Sequence, residues 1–129
     1  MAVTANKCVV LGVGGGIAAD KVAFLASRLV QSGVSVRVAM TPSALNFVGA
    51  VTFAGLTGVQ PILSSTQVDH DGSVPHIEAA QNADAYCIAP ATAGVLAQLA
   101  SGAADDPVAL LALTMKLSLI HISEPTRPY

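Results

Sequence analysis

Tryptophan is absent from this sequence and aromatic residues make up only 4% of it, which excludes an interior organised around large rings. Small and branched aliphatic side chains must fill the core instead, a composition suited to close packing of helices on a sheet. Charge is just as scarce: 11% of the 129 residues are charged, and six basic against eight acidic side chains leave a net charge of −2. A chain so poor in Lys and Arg has no basic stripe to meet a phosphate backbone, so nucleic acid is not an expected partner. The two cysteines, Cys8 and Cys87, lie in separate apolar runs without CxxC or Cys/His spacing. That pattern predicts free, buried thiols in a reducing compartment and no metal site. No apolar run reaches the roughly 20 residues that span a bilayer, and the opening "MAVTANK" lacks the apolar segment of a signal peptide. No membrane role is expected, and the protein is placed in the cytoplasm.

What is present is hydrophobic sequence, 53% of the chain, broken by 11 Gly and 7 Pro. One domain with most elements covered on more than one side fits that composition. "KCVVLGV" (7–13) is an uninterrupted apolar run closed by glycines, the pattern of a parallel strand buried on both faces. After "GGG" the stretch "IAADKVAFLASRLVQSG" places Ala18, Val22, Leu25 and Leu29 on one helical face, with Gly33 as its stop. "VSVRVAM" (34–40) follows as a second strand, completing a right-handed β-α-β unit. Thr41 and Pro42 then offer an N-cap and a first helical residue. "AVTFAGLTG" predicts a short helix ended by Gly58, and residues 59–75 a short strand and a polar loop, with His70 and Asp71 solvated. Beyond it come a brief helix "HIEAAQNA", a buried strand "DAYCIAP", a helix "TAGVLAQLASG" with Val95, Leu96 and Leu99 inward, and a helix starting at Asp106-Pro107. The fold class is therefore α/β, a parallel sheet with helices on both faces.

The tail "LSLIHISEPTRPY" (117–129) breaks this pattern, because "SEPTRPY" cannot supply the next apolar strand. It resembles the translated read-through of a sequencing adapter. Residues 1–116 are taken as the domain, incomplete at its C-terminus, and 117–129 as a non-native tail.

Three strand-to-helix turns hold the chemistry. "GVGGGIAADK" (12–21) lets backbone N–H groups crowd an anion at a helix N-terminus, or simply makes a tight turn. Its spacing is neither GxGxxG nor a P-loop, and no acidic residue ends the second strand to hold a nicotinamide ribose. Thr41 and Ser43 end the second strand with hydroxyls that serve as caps, as ligands, or as both. "APATAG" (89–94) repeats the arrangement at a third strand end. Three such turns at the carboxyl edge of one sheet make a ligand crevice for a phosphate and a polar tail. His76, at a helix start, reads equally as a cap, a surface residue or a proton-transfer group. Asp105 and Asp106 read first as favourable charges at a helix N-terminus.

Together "LGVGGGIAADK", "VRVAMTPSALNFV" and "PHIEAAQNADAYCIAPATAGVLAQLASGAADD" resemble, in order, the N-terminal half of the flavin-containing cysteine decarboxylase family, over residues 7 to about 115. The branch they resemble most acts on phosphopantothenoylcysteine in coenzyme A biosynthesis. The resemblance implies a Rossmann-like, flavodoxin-type fold that binds FMN, in homo-oligomers (trimers or dodecamers) with the flavin near a subunit contact. By motif, Gly14, Gly15, Gly16 and Ile17 match the first flavin-phosphate loop, Thr41 and Ser43 the second, and Pro90, Ala91, Thr92, Ala93, Gly94 and Val95 the third. His76 matches the family's active-site histidine. The family reaction oxidises the substrate's cysteine thiol to a thioaldehyde with FMN, releases the carboxylate as carbon dioxide, and returns the electrons from the reduced flavin.

Gly14 stands where relatives often carry Ser or Thr, and Gly94 where many carry Asn or Asp. The family's "PAMN" segment and later cysteine-bearing loop do not occur in these 129 residues. The chain is therefore expected to be a fragment that binds FMN weakly and does not complete turnover, its parent in many bacteria carrying a fused phosphopantothenate–cysteine ligase. Readings that stay open are a peptidyl-cysteine decarboxylase, a flavin prenyltransferase and a non-catalytic FMN-binding regulator.

Overall fold

In the computed structural model, residues 7–64, 66–68, 72 and 74–115 are described in full, and residues 119–123 by their backbone. The elements are β1 (Cys8–Val13), α1 (Ala19–Gln31), β2 (Ser35–Met40), a 3₁₀ turn (Pro42–Asn46), α2 (Ala50–Thr57), α3 (Pro75–Asn82), β3 (Ala85–Ala91), α4 (Ala93–Ser101), α5 (Pro107–Thr114) and β4 (Leu119–Ser123). All strand pairs are parallel and the sheet order is β2-β1-β3-β4. The chain thus steps one way from β1 to β2 and then the other way to β3 and β4. Right-handed crossovers place connections of opposite direction on opposite faces, and that is how the core divides. Leu11, Val13, Val36, Val38 and Met40 pack against α1 and α2 through Val22, Ala26 and Phe53. Val10, Ala39, Tyr86 and Ile88 pack against α3, α4 and α5 through Ala79, Val95, Val108 and Leu111. Alternate residues of each strand serve alternate layers, as the two-residue period of a strand requires.

Helix α1 turns its buried side inward at Ala19, Val22 and Ala26, with Leu25 and Leu29 packed at its margin. Gly33, at φ 93°, makes the left-handed turn that leads into β2. Gly58 caps α2 in the same conformation, as anticipated. Two expectations need correcting. Among the described residues, 59–75 contribute one parallel bridge, Ile62 to Ala39, rather than a strand. The sheet also continues past β3: Leu119–Ser123 pair with Tyr86–Ala91. The apolar residues ahead of "SEPTRPY" supply that strand, in a segment expected to lie outside the domain. His70, Asp71 and Lys116 lie outside the described residues.

Candidate functional site

The order of strands reverses between β1 and β3, and the turns that leave β1, β2 and β3 meet at this point of the carboxyl edge. Gly14 and Gly16 are buried and Gly15 half-buried. A Cβ on Gly14 would overlap the Pro90 carbonyl oxygen and lie 3.2 Å from Thr92 Cγ2. One on Gly15 would overlap Ser43 Oγ and lie 2.7 and 2.8 Å from Ser43 Cβ and C. None of these three glycines has a positive φ. They are small because the loop touches both neighbouring turns, not because its backbone is unusual. Among the described residues, the N–H groups of Gly14, Gly15, Gly16 and Ile17 make no hydrogen bond. Ile17 itself is 75% exposed.

The second turn is pinned to the first: the Thr41 N–H donates to Val13 O at 3.0 Å. Thr41 is buried, its Oγ1 accepts from Ala44 N–H at 3.2 Å, and Ser43 Oγ lies 3.3 Å from it. The capping role anticipated for Thr41 is therefore present, and a hydroxyl that accepts still has its own proton to donate. In the third turn Pro90 and Ala91 are buried at the end of β3, while Ala93 and Gly94 are exposed at the start of α4. Thr92 Oγ1 accepts from Val95 N–H at 3.4 Å.

Between these turns lies a crevice of about 240 Å³ lined by Thr41, Pro42, Ser43, Thr92, Gly94, Val95, Gln98 and Asp106. The sequence reading missed Gln98 and Asp106 as walls of it. Asp106 is the N-cap of α5: its Oδ1 accepts from Ala109 N–H at 2.9 Å and its Oδ2 from Gln98 Nε2 at 2.8 Å. Gln98 Oε1 in turn accepts from Asp105 N–H at 3.1 Å. The Asp-Pro helix start marked Asp106 in the sequence, whereas nothing local marked Gln98. Hydroxyls and unpaired N–H groups on one side, with a carboxylate and an amide behind them, suit an anion attached to a hydroxylated chain. A larger cavity of about 490 Å³ lies elsewhere, lined by Cys8, Ser35, Arg37, Thr57, Glu78, Asn82 and apolar neighbours. Cys8 and Ser35 begin their strands, which puts that cavity at the amino edge. It lies away from the turns that leave β1, β2 and β3, so the smaller crevice is the candidate site.

His76 does not line the crevice. It sits in the first turn of α3, half-buried, with Nδ1 buried and unpartnered among the described residues. The far end of α3 lies at the amino edge, where Asn82 shares a cavity with Cys8 and the Asp84 N–H donates to Cys8 O at 2.7 Å. Eight residues at 1.5 Å each carry the helix about 12 Å back, so His76 stands toward the carboxyl edge, in the layer that contains α4 and α5. Both cysteines are free, and burial raises their thiols above the ordinary range, opposed at Cys8 by the Arg37 charge. Tyr86, which no sequence signal singled out, is fully buried against Gly12 of β1 and donates to Val108 O at 2.7 Å.

A family model described as Flavoprotein matches residues 3–125. The chain is 43% identical over 118 residues to the coenzyme A biosynthesis bifunctional protein CoaBC of Mycolicibacterium smegmatis, covering 91% of this chain and 28% of that protein. It is 44% identical over 101 residues to CoaBC of Bacillus subtilis, covering 78% of this chain and 25% of the relative. The chain thus spans little more than a quarter of the curated relatives it matches. Among solved structures it resembles the FMN-dependent cysteine decarboxylase TvaF from thioviridamide biosynthesis, with a TM-score of 0.82 and 28% identity over 92% of this chain and 74% of that one. The same fold recurs at a TM-score of 0.79 and 24% identity in a PPC decarboxylase mutant complexed with pantothenoylaminoethenethiol, covering 94% of this chain and 68% of that one.

Proposed function

We propose a function from one premise: the chain belongs to the Flavoprotein family. The proposed activity is FMN-dependent decarboxylation of 4'-phosphopantothenoylcysteine to 4'-phosphopantetheine, a carboxy-lyase step of coenzyme A biosynthesis. It belongs to a longer cytoplasmic protein, a homo-oligomer with a fused phosphopantothenate–cysteine ligase, of which this chain supplies the flavin-binding part. The names and high identity of the CoaBC relatives support this substrate over the C-terminal cysteine of a peptide.

The observation that carries the reading is the crevice between the second and third turns, with the glycine turn packed against both. Its size fits a phosphate and a polyol tail, and the glycine turn has unpaired N–H groups next to the Ser43 and Thr92 hydroxyls. In this proposal the N–H groups of Gly14 to Ile17 and of Ala93 and Gly94, with the Thr41, Ser43 and Thr92 hydroxyls, hold the phosphate end of FMN. Pro90, Ala91 and Val95 form the apolar backing of the third turn. Bound FMN supplies reversible two-electron oxidation at the substrate thiol, which makes the neighbouring carbon an electron sink for decarboxylation. In this proposal the His76 imidazole, whose Nδ1 is buried without a partner among the described residues, takes a substrate proton and returns it. The protein's part is to orient the thiol, the carboxylate and the proton acceptor in one place.

The test is direct. Titration of the chain with FMN and with riboflavin, followed by flavin fluorescence, is expected to show FMN binding at least about tenfold tighter, since only FMN brings the anion. Equal affinities refute the phosphate site. In the full-length parent, His76→Asn is expected to slow carbon dioxide release by two to four orders of magnitude, roughly, while FMN stays bound. Unchanged turnover returns His76 to a structural role.

A further inference from the structure

Helix α3, like α1 and α2, begins without a side-chain cap. The 3₁₀ turn, α4 and α5 are each capped by a side chain, from Thr41, Thr92 and Asp106. The N-cap of α3 is Val74, which makes no side-chain cap. Its first turn is closed by two backbone bonds to one carbonyl, from the Ile77 and Glu78 N–H groups to Val74 O at 3.1 and 3.0 Å. The turn buries Pro75 and Ala79, and one polar contact from another element adds to what fixes its rotation. Arg37, in the middle of β2, donates from Nη1 to Glu78 Oε1 at 2.8 Å across 41 residues of sequence. The Arg37 side chain is 14% exposed, and its Nε is buried without an acceptor among the described residues. The guanidinium is therefore largely desolvated, and Glu78 is the partner the described residues give it. The ion pair also places a carboxylate in the first turn of a helix, where the macrodipole favours it.

We infer that Arg37, through its ion pair with Glu78, is a positioning residue for His76. Glu78 lies two positions beyond His76, which at 100° per residue puts them on nearly opposite flanks of the helix. β2 grips one flank and the imidazole hangs from the other, so rotation of the uncapped turn about its axis moves the ring. Arg37 touches nothing that reacts. It acts by restricting where the ring can be.

The inference rests on His76 being the active-site residue, but its test needs neither flavin nor turnover. Amide exchange of Ile77 and Glu78 and the His76 ring resonances are followed by NMR in the 129-residue chain. Arg37→Gln is expected to speed exchange of the Ile77 and Glu78 amides about fivefold or more. It should also shift or broaden the His76 ring signals, leaving α1 and α4 exchange and FMN affinity unchanged. Arg37→Lys, which keeps the charge, and the exchanged pair R37E/E78R are expected to restore much of both signals. If Arg37→Gln does not fold, Arg37→Lys is read alone, with an intermediate displacement of the ring signals expected. Ring signals identical to the parent chain in whichever variant folds overturn the inference, as does exchange that rises equally in every helix. Absent FMN binding would refute the flavin site and leave this result standing.

Discussion

Gly15→Ala adds one carbon where two turns already touch. The new Cβ would overlap Ser43 Oγ, and that clash could be relieved by a rotamer change. The Ser43 backbone carbon, however, would lie at 2.8 Å, and ordinary contact begins near 3.4 Å. The Ser43 turn must therefore retreat by about 0.6 Å or the glycine loop must move away from it. Overpacking of this kind costs about 1–3 kcal/mol of stability. In the proposed site the effect on the ligand is larger in proportion, because the same displacement moves the Ser43 hydroxyl off the anion. A hydrogen bond to a charged group contributes about 1.5–3 kcal/mol, so losing one weakens FMN by roughly ten- to a hundredfold. Flavin fluorescence titration and urea unfolding measure the two effects. The control is Gly55→Ala, within α2, where a Cβ meets nothing within 4 Å. It should leave binding alone and stabilise the helix by up to about 1 kcal/mol. If Gly15→Ala binds FMN as tightly as the parent chain at an unchanged urea midpoint, the turns do not meet as described and the crevice reading falls.

Tyr86→Phe removes the hydroxyl from a fully buried ring. Val108 O still accepts within α5, so the expected cost is about 1 kcal/mol, at the lower end for a buried partner. Burial, and after it the Asp106 carboxylate, hold the Tyr86 phenol well above its ordinary value of 10.0. The protonated form is thus favoured by folding, and the stability this adds is intact below about pH 10 and lost as pH rises through the folded value. Tyr86→Phe should flatten that alkaline decline in urea unfolding, and an unchanged decline would assign it to another group. Asp106→Ala removes both the α5 cap and the Gln98 contact and is expected to cost about 2 kcal/mol, with Asp106→Asn costing less because it keeps the cap. Equal urea midpoints for the two variants would show that the cap contributes little.

Features written in local chemistry were legible in the sequence. Apolar runs, glycine stops and capping hydroxyls placed β1, β2, β3, the caps at Thr41 and Thr92 and the helix start at Asp106-Pro107. They also placed three turns at one sheet edge, and the structure brings Thr41, Ser43, Thr92, Gly94 and Val95 together there. Contacts decided by register and layer were not legible. Arg37 finds Glu78 only because odd positions of β2 face α3, and Gln98 reaches Asp106 only because α4 and α5 pack side by side. Tyr86 looks in sequence like any strand aromatic, and only the pairing of β3 with β1 sets it against Gly12. The bridge at Ile62 and the strand Leu119–Ser123 were misread for a related reason. A β-pairing depends on which edge is open, and no window of sequence contains that information.

Strand β2 works as a proofreading element. Its register against β1 sets Val36, Val38 and Met40 beneath α1 and α2, turns Arg37 toward Glu78 and delivers Thr41 to Val13 O. Slipping the pairing by one residue exchanges the two faces. The only guanidinium of the strand would then enter the aliphatic layer, three apolar side chains would leave it, and the second turn would miss the glycine loop. Each mismatch penalises the same wrong state. A chain that has closed the crevice has therefore already passed a test of its sheet, and ligand binding reports correct strand pairing as well as a correctly built site.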